Sequence, residues 1–144
     1  MSLWNRILNW FDPPKPEPVK PQNLDDLEKT RLDLIITHNN ERSNRGIPTL
    51  ILDERLNIYA QKHAEWMAAR NRLVHSTISN LLNDYRATAE NIAWNQQSVD
   101  EVVRGWMLSS GHRHNILNVG YALVGFGVAK TENGETYWCA VFGV

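Results

Sequence analysis

The sequence predicts an α+β fold in which a β-sheet is sandwiched by helices, a three-layer α-β-α arrangement. Three segments, 23–45, 54–71 and 98–108, space their apolar residues as helices do. Two apolar runs near the C-terminus, 121–130 and 135–142, are joined through Asn133-Gly134, a strong hairpin signal. The second run contains TYWCAVF, so it reads as a central strand covered on both faces.

The chain has 144 residues, which suits one domain with a substantial core. Apolar residues make up 42% and charged residues 22%, the balance of an ordinary globular protein. The net charge of −1 gives no basic footprint for nucleic acid. A single cysteine, Cys139, excludes an internal disulfide framework, and its apolar surroundings suit a buried small hydrophobe. No stretch reaches the roughly 20 apolar residues of a membrane span. The N-terminus lacks the pattern of a signal peptide. The expectation is a chain that is cytoplasmic as made, or carried in a virion or secreted particle.

Residues 1–11 place Leu3, Trp4, Ile7, Leu8 and Phe11 on one helical face. So short a helix is marginal alone and needs a surface to cover its stripe. With Arg6 its only basic side chain, a protein assembly is the favoured partner over a membrane interface. Residues 12–22, DPPKPEPVKPQ, read as a semi-rigid proline-rich linker of roughly 30 Å. The globular domain is then 23–144.

In that domain, Asn23 or Asp25 can cap a long helix, and Leu24, Leu27, Leu32, Leu34, Ile35 and Ile36 supply a broad apolar face. Gly46-Ile47-Pro48 ends the helix. Asp53 caps the next, striped by Leu56, Ala60, His63/Ala64 and Met67, with His63 at the boundary. Leu81, Leu82 and Tyr85 suit a further short helix within 77–87, and Thr88–Trp94 reads as a loop. Ser98-Val99-Asp100-Glu101 is a capping box that starts a helix to about Leu108. Trp106–Leu117 then reads as a helix end, a turn at Gly111 and a short second helical turn that leaves His114 exposed. Gly125 and Gly127 fall on one face of their strand and permit close packing.

Four motifs stand in order: His38-Asn39-Asn40-Glu41-Arg42, Val74-His75-Ser76, Ala89-Glu90-Asn91-Ile92-Ala93, and Trp106–Leu117 with His112 beside Gly111. Together they resemble the CAP family, the SCP/PR-1-like domain of cysteine-rich secretory proteins, antigen 5 and pathogenesis-related proteins, in its bacterial or phage-type branch without disulfides. The resemblance covers about residues 30–144 and implies the same α-β-α sandwich, with Asn39 and Arg42 as structural polar residues that tie their helix to neighbouring backbone and His38 as a satisfied structural histidine. Ala89 stands where the family has Gly, which would strain the site if it needs positive φ. Ser109 stands where eukaryotic relatives have a second Glu. The resemblance thus implies a ligand-binding cavity of His75, Glu90, Ser109 and His112.

Two imidazoles and a carboxylate can hold zinc or another divalent metal, with His75 and His112 as metal ligands. Without metal, His75, Glu90 and His112 are candidates for acid–base catalysis, or a polar cluster that fixes three loops. No nucleophile motif such as GxSxG is present. The readings are a non-catalytic binding module tethered by residues 1–11, with a cell-envelope or small ligand at the cavity; a metal-assisted hydrolase of peptide or cell-wall substrates; and a structural or decoration subunit of a phage particle or secretion machine.

Overall fold

The computed structural model describes residues 19–20, 23–81, 83–86 and 88–144. The expected docking helix at 1–11, and all of the linker except Val19 and Lys20, lie outside the described residues. Val19 forms an antiparallel bridge with Thr131, and Lys20 N–H donates to the Lys130 carbonyl (3.1 Å). The chain therefore touches the domain before the expected boundary at residue 23.

Helix α1 spans Leu24–Ser43, and Asn23 caps it by accepting from Asp25 N–H (3.0 Å). Its buried face carries Leu27, Leu34, Ile35, His38 and Arg42. The broad apolar face was an overestimate: Leu24, Leu32 and Ile36 are 74%, 56% and 49% exposed. They stand at multiples of four residues from one another, so they form their own row on the helix.

Strand β1 (Ile51–Leu52) leads into α2 (Glu54–Arg70), which Asp53 caps at Leu56 N–H. Asn71, left-handed at φ 48°, ends α2. Only a 3₁₀ turn, Ile78–Leu81, forms where the short helix was expected. Thr88–Trp94, expected as a loop, is strand β2. Ala89 is extended there and not at positive φ, so the missing glycine causes no strain. Helix α3 (Val99–Leu108) starts at Ser98, whose hydroxyl accepts from Glu101 N–H. The Glu101 carboxylate reaches back to Gln97 N–H, one residue short of a reciprocal capping box.

The break before α4 (Ser110–Leu117) falls at Ser109, extended at φ −103°, and Gly111 lies inside the helix. Strands β3 (Leu123–Lys130) and β4 (Thr136–Gly143) form the expected hairpin. Of Asn133 and Gly134 only Gly134 has positive φ, +85°, and its N–H donates to the Thr131 carbonyl. The turn is thus a four-residue one closed by glycine, not a two-residue primed turn.

The sheet order is β1-β3-β4-β2, parallel between β1 and β3 and antiparallel elsewhere. β4 is central and buried along its whole length, as its apolar sequence implied. Alternate β4 side chains face opposite layers. Trp138, Ala140 and Phe142 join a core with α1, α3 and α4, while Tyr137, Cys139 and Val141 join a core with α2. That is the expected three-layer sandwich. Among the described residues, no helix is long and apolar enough to cross a membrane.

Candidate functional site

The site is built outward from β2. Glu90 and Asn91 are neighbours on this strand, so their side chains leave by opposite faces. Each secures a different segment.

Glu90 points to the α2 side, beneath the stretch that joins α2 to the 3₁₀ turn. Its side chain is 3% exposed, and donors surround it. Oε1 accepts from Ser76 N–H (2.8 Å) and from His75 Nδ1 (3.0 Å). Oε2 accepts from the Ser76 hydroxyl, in a very short contact, and from the Cys139 thiol (3.8 Å). Burial, with the Glu90 charge beside it, pushes the Cys139 thiol up, so that group stays a donor. A carboxylate surrounded by donors has no acceptor for a proton of its own, so His75 Nδ1 carries the hydrogen. Nε2 of His75 lies on the side of the ring away from Glu90, and the ring is 63% exposed.

Asn91 is fully buried on the opposite face. Its Nδ2 donates to the His112 carbonyl (3.0 Å), and its Oδ1 accepts from Asn115 Nδ2 (2.8 Å). The first turn of α4 is thereby fastened to β2. His112 is partly buried there. Burial, and then the nearby His75, hold its imidazole below the usual histidine range, which keeps it neutral at neutral pH. His75 and His112 are held from opposite faces of the strand, near enough for the charge of His75 to act on His112.

A groove of about 350 Å³ adjoins His75, lined also by His63, Trp66, Val74, Ser76 and Thr77. Ser109 is the junction between α3 and α4, and its side chain does not cap α4. Among the described residues no hydrogen bond joins it to His75, Glu90 or His112.

The geometry tests the metal set. Among the described residues, no three His, Cys, Asp or Glu side chains converge as a metal group. Both oxygens of Glu90 are engaged beneath His75, so this carboxylate orients a histidine instead of standing as a third donor. His75 and His112 are the two imidazoles that would serve as ligands if a divalent metal binds here.

The remaining polar residues are structural. Arg42 is fully buried and donates to four carbonyls, of Pro48, Ile116, Asn118 and Tyr121, at 2.7–3.0 Å. The Asn39 amide pairs with both backbone groups of Leu50. His63 Nε2 donates to the Val74 carbonyl (2.6 Å) and its ring stacks on Trp66. His38 is only half satisfied: Nδ1 donates to the Leu34 carbonyl (2.7 Å), but among the described residues the buried Nε2 has no partner. His114 is exposed, as expected.

Sequence reasoning missed the supports Ser76, Tyr59, Asn91 and Asn115. Asn91 follows from Glu90 only once 88–94 is known to be a strand, whose alternation sends the two side chains to opposite faces.

The model of the cysteine-rich secretory protein family, CAP, matches residues 35–142. The chain belongs to the CAP family. This CAP domain is 31% identical over 120 residues to YkwD of Bacillus subtilis (strain 168), covering 77% of the chain and 46% of that protein. It thus spans less than half the length of this curated relative, and 40% of a second one, the membrane protein YlbC of the same organism. Among solved structures, an outer surface protein from Borrelia burgdorferi superposes with TM-score 0.70 at 20% identity, over 79% of this chain and 93% of that one. An extracellular SCP-domain protein from Bacillus anthracis superposes with TM-score 0.71 at 22% identity, over 86% and 44%.

Proposed function

We propose that this CAP domain is a non-catalytic binding module whose His75–His112 hollow holds a divalent metal, zinc among the candidates, or a small ligand. The observation that carries the reading is the mounting of His75. A buried carboxylate accepts from its Nδ1 and leaves Nε2 on the exposed side, with His112 near enough to feel the His75 charge. Metal-binding histidines are oriented in this way by carboxylates behind them. A bound divalent ion would supply a Lewis-acidic docking point for an oxygen or nitrogen ligand.

The same geometry weighs against hydrolysis. Glu90 is too engaged to act as a base, and the Ser76 hydroxyl is turned to Glu90, away from His75 Nε2. Outside the domain, the apolar stripe of residues 1–11 is read as the tether to a larger protein assembly. Deleting residues 1–18 should leave the domain folded and release it from that assembly. A truncated domain that still co-purifies with the assembly would refute the tether.

Zinc titration followed by thermal unfolding tests the site. A ligand at a hundred times its Kd adds about 2.7 kcal/mol of stability, so the midpoint should rise in the parent and not in His75→Ala or His112→Ala. Variants that respond as the parent does would end the metal reading.

A further inference from the structure

Two α2 residues one helical turn apart, Tyr59 and His63, reach the extended segment that carries His75. His63 Nε2–H donates to the Val74 carbonyl (2.6 Å), just before His75. The Tyr59 hydroxyl lies 2.8 Å from the Thr77 carbonyl and 3.1 Å from Ser76 Oγ, just after it. A carbonyl only accepts, and the Ser76 proton is directed to Glu90, so Tyr59 donates toward both. Residues at i and i+4 lie over one another on a helix face, so the two donors grip the segment on either side of His75. Residues 72–77 have no regular secondary structure and pair with no strand. The Val74 and Thr77 carbonyls and the Ser76 N–H are held by side chains instead.

We infer that Tyr59 and His63 form a clamp on Val74–Thr77 that positions His75 over Glu90 and keeps its Nε2 turned outward. The chain of contacts runs from Tyr59 to Ser76, from Ser76 to Glu90, and from Glu90 to His75 Nδ1. Without the clamp, the Ser76 N–H and hydroxyl drift from the carboxylate. The carboxylate then no longer fixes the His75 tautomer. The stacking of His63 on Trp66, with Arg70 over the same indole at 4.5 Å, immobilises the His63 half. Both residues are positioning residues: neither contacts the outward nitrogen.

The clamp itself is read from the protein alone, and its effect on affinity rests on the metal reading above. Its test therefore has two arms. In metal-free protein, nitrogen NMR of the His75 ring should report Nδ1–H in the parent. In Tyr59→Phe and His63→Ala the signal should move toward Nε2–H, while His63→Gln, which keeps a donor for Val74, restores the parent pattern. In the second arm, zinc Kd should rise about tenfold to a hundredfold in Tyr59→Phe, as loss of a supporting hydrogen bond does. Thermal midpoints of all variants are recorded alongside. A Tyr59→Phe protein that melts lower yet keeps the parent His75 tautomer would overturn the clamp. If the parent binds no zinc, the metal reading falls while the first arm still decides the clamp.

Discussion

Arg42 illustrates how single residues hold this protein together. Its guanidinium is fully buried, and among the described residues no carboxylate pairs with it. Four carbonyls replace the solvent, two of them, Ile116 and Asn118, at the negative end of α4. An ammonium lacks the planar fork needed to reach them all. Arg42→Lys should therefore cost about 3 kcal/mol or more, read as a lower urea midpoint. His38, one turn earlier, sets a pH limit. Burial above all, with the Arg42 charge adding, lowers its pKa from 6.5 to about 4. The unfolded chain takes up this proton first, so stability is full above pH 6.5 and falls as pH drops toward 4. The loss should be about 3 kcal/mol. Urea melts across that range should show the slope in the parent and lose it in His38→Leu. The structural roles of Arg42 and His38 were legible in one short motif. The unpaired Nε2 was not, because Trp106, Phe126 and Phe142 surround that ring from distant segments.

At the scale of elements, α2 lies against β3 without room for one more carbon. A Cβ at Gly125 would sit 2.1 Å from the Leu56 carbonyl carbon, and one at Gly127 2.4 Å from Ala60. Backbone cannot yield as a side chain does, so Gly127→Ala should cost about 3 kcal/mol or more in chemical unfolding. The close approach lets α2 finish the sheet. Asn57 Oδ1 accepts from Phe126 N–H, the Gln61 amide pairs with both backbone groups of Val128, and Arg31 donates to the Phe126 carbonyl. Side chains thus occupy the edge of β3 where β1 is too short to reach. Asn57→Ala should cost about 1–3 kcal/mol, and the bared edge should raise self-association in light scattering. The glycine pair announced this packing in the sequence. β2 gave no such warning: most of its residues are buried on both faces, which removes the alternation that marks a strand.

For the whole molecule, long helices with clear stripes and an all-apolar central strand made the layer order readable, since each must bury its apolar face against another layer. His75, Glu90 and His112 were singled out by the motifs in which they sit. Their division of labour was not legible there. That Glu90 supports His75, and does not face the hollow beside it, depends on Ser76 and Cys139 arriving from other segments. A Glu90→Gln variant should show it: an amide cannot accept from every donor around it, so the thermal midpoint should drop and the His75 Nδ1–H signal should be lost. Adjacent positions of one strand, Glu90 and Asn91, hold the His75 ring and the His112 backbone from opposite faces of the sheet. One residue inserted just before Glu90 would turn both side chains to the wrong faces, and Val74–Thr77 and the first turn of α4 would lose their anchors together.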